Sequence, residues 1–182
     1  MCEEHYRQYT TRDSTGRYIV KLPFRQDPRT IGDTGYTTMH QFNSLKRRRW
    51  KEPQRWEQYC NYMANFIKAG YATRIAPVPN PPPIIYLPHH AVVKESSSTT
   101  KLWVVFDGSQ RSSNGSTLNE LLITGPVVQE TLYHILLNFR THRVALTGDI
   151  EKMYLQIRVT EEDSKLVRML WQEPGQPVAE YG

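Results

Sequence analysis

The sequence predicts an α+β chain, and three observations carry that prediction. Residues from about Thr38 to Ala69 repeat apolar side chains at helical spacing. Ile84 to Leu87, Ala91 to Lys94 and Leu102 to Phe106 are short runs that read as extended segments. A second helical stripe, Val128, Leu132, Ile135, Leu136 and Phe139, leads into the apolar run Val144 to Leu146, and the extended pair Ile157 and Val159 follows.

A chain of 182 residues is long enough for one domain, or for a core with an appendage, and 38% apolar residues is somewhat low for a globular fold. The net charge of +5 favours a polyanionic partner such as nucleic acid, although an excess of this size is also common on proteins that bind nothing charged. Cys2 and Cys60 lie far apart and have no ligand-like spacing to each other or to the histidines, so neither a zinc site nor a disulfide framework is indicated. A reducing intracellular setting, cytoplasmic or nuclear, is the expectation. Met1 to His5 has no apolar leader core, and no later window has the uninterrupted apolar length of a membrane span. A soluble protein with no membrane partner is expected.

In chain order, residues 1–36 read as an irregular segment. Its alternating run Arg17 to Phe24 suits an edge strand ended by Pro23. Asp33-Thr34-Gly35 is the tripeptide that carries the catalytic carboxylate of aspartic proteases, but it lacks the apolar strands and the second aspartate that such chemistry needs. Residues 37–76 form a two-helix segment broken at Glu52-Pro53. In its second helix Trp56, Tyr59, Cys60, Met63, Phe66 and Ile67 make a packing stripe, Pro53 suits the first turn and Gly70 the C-terminal cap. Between the stripes, Lys46, Arg47, Arg48, Arg49 and Lys51 surround Trp50 in the densest basic run of the chain. That run suits a nucleic-acid backbone, a nuclear import signal or a solvated helix face. The prolines of residues 77–83 make a stiff connection and a subdomain boundary before residues 84–182.

In that last part, the polar residues Glu95 to Thr100 read as the tip of a hairpin. His89 and His90, adjacent on a strand, point to opposite faces and are poorly placed to share a metal. Leu118 to Leu122 is a short apolar segment, and Gly125-Pro126 opens the helix that packs under the sheet bearing Asp149. Thr160 to Asp163 resembles a capping box opening a helical turn, and Leu166 to Trp171 reads as a strand. The run Leu146 to Ile157 itself reads as strand, turn, strand. A carboxylate at the end of a buried strand, here Asp149, can present a divalent cation to phosphate oxygens, and an aspartate capping a turn is the alternative.

Several motifs stand in one order: Tyr86-Leu87-Pro88-His89-His90-Ala91-Val92-Val93-Lys94, Leu102-Trp103-Val104-Val105-Phe106-Asp107, Ser116-Thr117-Leu118-Asn119-Glu120-Leu121-Leu122, Gly125-Pro126, and Gly148-Asp149-Ile150 with Tyr154. This order resembles the reverse transcriptase region of Pao/BEL-type long-terminal-repeat retrotransposons. The resemblance implies the fingers and partial palm of a right-hand polymerase fold, preceded by a helical N-terminal segment. It implies RNA-directed DNA polymerisation with Mg²⁺, an RNA or DNA template-primer and deoxynucleoside triphosphates. By that resemblance Asp149 is the first catalytic, metal-binding aspartate, the Ile150 carbonyl faces the second metal, and Tyr154 lies beneath the incoming sugar. Lys94 and Lys101 are candidate phosphate contacts or solvated lysines, and Asp107, Asn119 and Gln156 are structural or template-side groups.

The chain departs from the family pattern in three places. Trp103 stands where the family has an arginine that reaches the triphosphate, and Leu155 where a basic residue is usual. No Tyr-x-Asp-Asp, the family's source of the remaining metal-binding aspartates, occurs in the 182 residues. The expectation is a fragment cut before its active site is complete, inactive alone. A non-catalytic nucleic-acid-binding protein derived from such an element, or a scaffold domain, are the alternatives.

Overall fold

The computed structural model describes residues 2–48, 51–77, 83–94, 102–148 and 150–182. The chain is mixed α+β. Its helices are α1 Cys2–Tyr9, α2 Gly35–Arg48, α3 Pro53–Lys68, α4 Leu118–Leu121, α5 Leu132–Thr141 and α6 Glu161–Leu166. Its strands are β1 Thr10–Arg12, β2 Tyr18–Val20, β3 Ile85–Tyr86, β4 His89–Val93, β5 Leu102–Phe106, β6 Ile157–Val159, β7 Val167–Trp171 and β8 Ala179–Tyr181. They form small sheets ordered β1-β2-β6, β3-β7-β8 and β4-β5.

The core lies where α2 and α3 cover β5, β7 and β8. Tyr59 and Met63 of α3 are fully buried against Phe42 of α2, Leu102 and Val104 of β5, Met169 and Trp171 of β7 and Tyr181 of β8. Trp56, Cys60, Phe66 and Ile67 pack half-buried around them, so the predicted stripe is the packing face. Pro53 occupies the first turn of α3. At its other end Gly70 adopts φ +72°, a conformation open to glycine at no steric cost. The Gly70 amide donates to the Ile67 carbonyl at 2.9 Å and the Tyr71 amide to the Phe66 carbonyl at 3.2 Å, which satisfies two orphan carbonyls of the last turn.

One polar network ties the β3-β7-β8 sheet together. Arg168 on β7 is buried; its Nη1 donates to Glu180 Oε2 on β8 at 2.6 Å and its Nε to the Lys165 carbonyl at 2.8 Å. The Tyr86 hydroxyl on β3 donates to the other Glu180 oxygen at 2.9 Å. Burial, with this hydrogen bond, pushes the Tyr86 phenol up to about 12. Asp33-Thr34-Gly35 forms the entry to α2: Asp33 Oδ1 accepts from the Gly35 amide at 2.8 Å, and the buried Thr34 hydroxyl accepts from the Tyr86 amide at 2.7 Å.

Three local expectations need correction, and that of Leu118 to Leu122 gains a defined form. Residues 1–36 are not irregular throughout, since α1 and the β1–β2 hairpin lie within them, the hairpin turned by Asp13, whose Oδ1 accepts from the amides of Thr15 at 2.9 Å and Arg17 at 3.1 Å. β2 is the middle strand of its sheet, not an edge, because β6 arrives parallel on its free side with Ile19 opposite Arg158. Leu118 to Leu121 is helical, closed by a capping box in which Thr117 accepts from the Glu120 amide and Glu120 from the Thr117 amide. The largest correction concerns α5. It begins at Leu132 behind the cap Thr131, several residues after Gly125-Pro126, and none of its residues is buried. It does not pack beneath a sheet, and Val144 to Leu146 form no strand: Leu132 is 70% exposed and Leu146 86%. Helical periodicity shows that an apolar face exists, whereas burial needs a partner surface, and among the described residues none covers this one.

The second half of the strand-turn-strand reading is present as β6, and α6 follows behind Thr160. The Asp163 amide donates to the Thr160 hydroxyl oxygen at 3.4 Å. The expected return bond to the Thr160 amide is absent because that amide donates to the Val20 carbonyl at 2.9 Å. Asp163, buried, instead accepts from the Thr160 hydroxyl at 2.9 Å and from the Leu22 amide at 2.8 Å. No helix among the described residues is long and apolar enough to cross a membrane.

Candidate functional site

The turn before β6 is the first candidate, and Asp149 itself lies outside the described residues. Beyond it, Lys152 takes the left-handed conformation at φ 52°, which swings the chain into the 3₁₀ turn Met153–Gln156. Tyr154 stands 81% exposed on that turn. The ring is therefore not part of the core. Ile150 is exposed, and its carbonyl accepts from the Met153 amide at 3.3 Å, so one lone pair stays available. Gln156 is exposed as well.

Two long-range contacts position the turn. Arg17 Nη2 donates to the Leu155 carbonyl at 2.7 Å, and the Arg17 guanidinium carbon lies 5.7 Å from the centre of the Tyr71 ring. The turn is thus held by Arg17, which in turn packs on the segment after α3. As for a metal, the described loop offers the Ile150 carbonyl and the exposed Glu151, whose carboxylate lies 3.7 Å from Lys152 Nζ. Among the described residues no group of three or more His, Cys, Asp or Glu side chains could hold an ion, so they do not by themselves make a magnesium site.

The β4–β5 hairpin is the second candidate. It pairs antiparallel with Ala91 opposite Val104 and Val92 opposite Trp103. Leu102 and Val104 face the core, and Trp103 lies half-buried on the other face. Lys94, just past β4, is exposed; Lys101 and the hairpin tip at residues 95–100 lie outside the described residues. His89 is buried and His90 exposed, on opposite faces as the strand alternation predicts. His89 Nε2 bonds the Leu170 carbonyl at 2.8 Å, and because a carbonyl only accepts, that nitrogen carries the proton. Its Nδ1 then accepts from the Tyr59 hydroxyl. Phe42, Phe106 and Trp171 surround the ring, and burial holds the imidazole below its ordinary pKa. Burial also raises the Tyr59 phenol. Asp107 Oδ1 accepts from the Ser109 amide at 2.9 Å and closes the turn after β5. Asn119 stands so close to Gly108 that a side chain there would meet its Oδ1 at 2.6 Å. Both make contacts around the turn after β5.

The basic run is the third. Lys46, Arg47 and Arg48 fall in the last turn of α2, where cations suit the helix dipole, and Arg49 lies outside the described residues. Lys46 is half-buried with Nζ 5.6 Å from the Phe42 ring centre. Arg47 donates to the Ser44 hydroxyl at 3.1 Å. Arg48 and Lys51 are exposed. Arg17 and Arg168 were not marked by any local pattern, and Asp163 only as the last residue of the capping pattern after Thr160, not for its contact with Leu22. Their partners, Leu155, Glu180 and Leu22, sit on other elements, so no motif in the sequence signals them.

No family model, curated protein or solved structure matches this chain.

Proposed function

We propose that the chain is the fingers and early palm of a reverse transcriptase similar to those of Pao/BEL-type retrotransposons. The observation that supports the reading is the exposure of Tyr154 at 81% on a turn anchored at its backbone, which leaves the ring open to a ligand. The order of motifs along the chain supports it, as does the hairpin that follows Tyr86-Leu87-Pro88. In the complete enzyme Asp149 and the Ile150 carbonyl would hold Mg²⁺, which neutralises the triphosphate and activates the primer hydroxyl, together with carboxylates that these residues do not place beside them.

The test is primer extension. Residues 1–182 alone should incorporate no nucleotide. Fused to a family palm that carries a Tyr-x-Asp-Asp hairpin, they should support Mg²⁺-dependent incorporation on an RNA template, and Asp149→Asn should abolish it. Full activity of the Asp149→Asn fusion overturns the reading, and activity of the unfused chain overturns its incompleteness.

A second reading, a non-catalytic nucleic-acid binder, is favoured by the cluster of Lys46, Arg47 and Arg48 at one helix end with exposed Lys51 beyond it. Affinity for an RNA–DNA duplex should then fall steeply between low and physiological salt. Flat affinity leaves a scaffold domain with a solvated basic face.

A further inference from the structure

We infer that a cleft bounded by β2, the segment after α3, β6 and α6 binds one nucleotide unit, through its phosphates and its base. The cleft adjoins the Tyr154 turn, whose Leu155 lines it, but Tyr154 itself is not part of it, and the inference does not rest on the polymerase reading. The cleft has a volume of about 800 Å³, within the range of pockets that enclose a small organic ligand. Among its described lining residues are four cations, Arg17, Arg74, Arg158 and Lys165, and one acidic side chain, Glu161.

The cations differ in how far they are committed. Lys165 Nζ lies 2.7 Å from Glu161, which holds that carboxyl below its usual range. Arg158, itself half-exposed, reaches the largely covered Asp13 at 3.5 Å, a long pair that a ligand can displace. Arg74 is exposed and forms no ion pair among the described residues. Arg17 is fixed in place by Leu155 and Tyr71 and contributes its charge to the wall, while its Nε is buried and makes no hydrogen bond. Three of the four cations are arginines, whose planar fork matches phosphate oxygens bidentately. A phosphate chain is therefore the charge this wall accepts. Apart from the hydroxyls of Tyr71, Thr73 and Ser164, much of the remaining lining is apolar, with Ile19, Ile75, Ile157 and Val159, which gives an uncharged ring a surface to lie on. Phosphate and ring together make a nucleotide.

Equilibrium dialysis of the 182-residue chain against adenosine triphosphate without divalent cations tests this. Binding should occur with a dissociation constant below about 1 mM, and Arg74→Ala should weaken it roughly tenfold, the loss of one phosphate contact. Arg158→Ala, at a second exposed position, should weaken it as well. A melting curve on each variant confirms folding. Adenosine alone and tripolyphosphate alone should each bind more weakly than the nucleotide. A 5′-phosphorylated oligonucleotide that competes with the nucleotide identifies a strand end as the ligand; one that does not identifies the free nucleotide. No binding up to about 1 mM overturns the inference. So does binding indifferent to both substitutions, which puts the nucleotide elsewhere, or tripolyphosphate binding as tight as the nucleotide.

Discussion

Arg17 and Leu155, 138 residues apart in sequence, are joined by a hydrogen bond of 2.7 Å from guanidinium to main-chain carbonyl. The bond locks the end of the Tyr154 turn to the N-terminal hairpin at the point where β6 starts to pair with β2. Arg17→Ala should release the turn. A hydrogen bond to a charged donor contributes about 1.5–3 kcal/mol, and partial exposure places this one at the low end. Hydrogen exchange at the amides of residues 155–159 should quicken more than exchange in α3. Equal exchange in variant and parent would show that β2–β6 pairing holds the turn unaided.

The pair of Tyr59 and His89 makes stability depend on pH. Burial lowers the folded pKa of His89 below its ordinary value of 6.5, so at pH values between the two the unfolded chain binds a proton that the folded chain does not. Stability therefore rises with pH through this window and is lost as pH falls below the ordinary value, levelling once the folded histidine also protonates. Thermal unfolding between pH 7.5 and pH 5 should show this loss, and His89→Gln should flatten it. A slope unchanged in that variant would assign the loss to other groups. Tyr59→Phe leaves Nδ1 buried without its donor and should cost about 1–3 kcal/mol.

Trp103 lies on the face of β5 opposite to the core residues Leu102 and Val104, so an arginine can replace it without opening a cavity. In the fusion with a family palm, Trp103→Arg should lower the Michaelis constant for nucleotide. One recovered bidentate contact is worth roughly 1.5–3 kcal/mol, about a tenfold change or more. An unchanged constant would take this face of the hairpin off the triphosphate path.

What could be read in the sequence was what is decided locally. The stripe on α3, its glycine cap, the alternation that separates His89 from His90, and the strands β3, β4, β5 and β7 depend on spacing within one segment. The central place of β2 depends on β6, and the burial of Arg168 on Glu180 twelve residues further along, so neither position announces itself. α5 shows the opposite failure. Its spacing is that of a buried helix, yet burial is a property of two surfaces, and Leu132 and Leu136 stand exposed, as does Leu146 beyond the helix. The candidate site divides the same way: the turn after Asp149 was legible from its polar residues, whereas its anchor at Arg17 was not.

Tyr154 gives the sharpest test of the polymerase reading. If its ring lies under the sugar of an incoming nucleotide, it occupies the space of a ribose 2′-hydroxyl, and ribonucleotides are rejected by collision. Its exposure sharpens the experiment, because truncating a surface side chain typically changes stability by no more than about 0.5 kcal/mol. Tyr154→Ala in the fusion should therefore keep the parent melting temperature, admit ribonucleotides far better and slow deoxynucleotide addition only moderately. The ratio of the two incorporation efficiencies is the deciding quantity, since a fall in both with an unchanged ratio reflects damage to the turn. An unchanged ratio at an unchanged melting temperature would leave Tyr154 exposed for some purpose other than reading the sugar, and the assignment of this turn to a polymerase site would lose its main support.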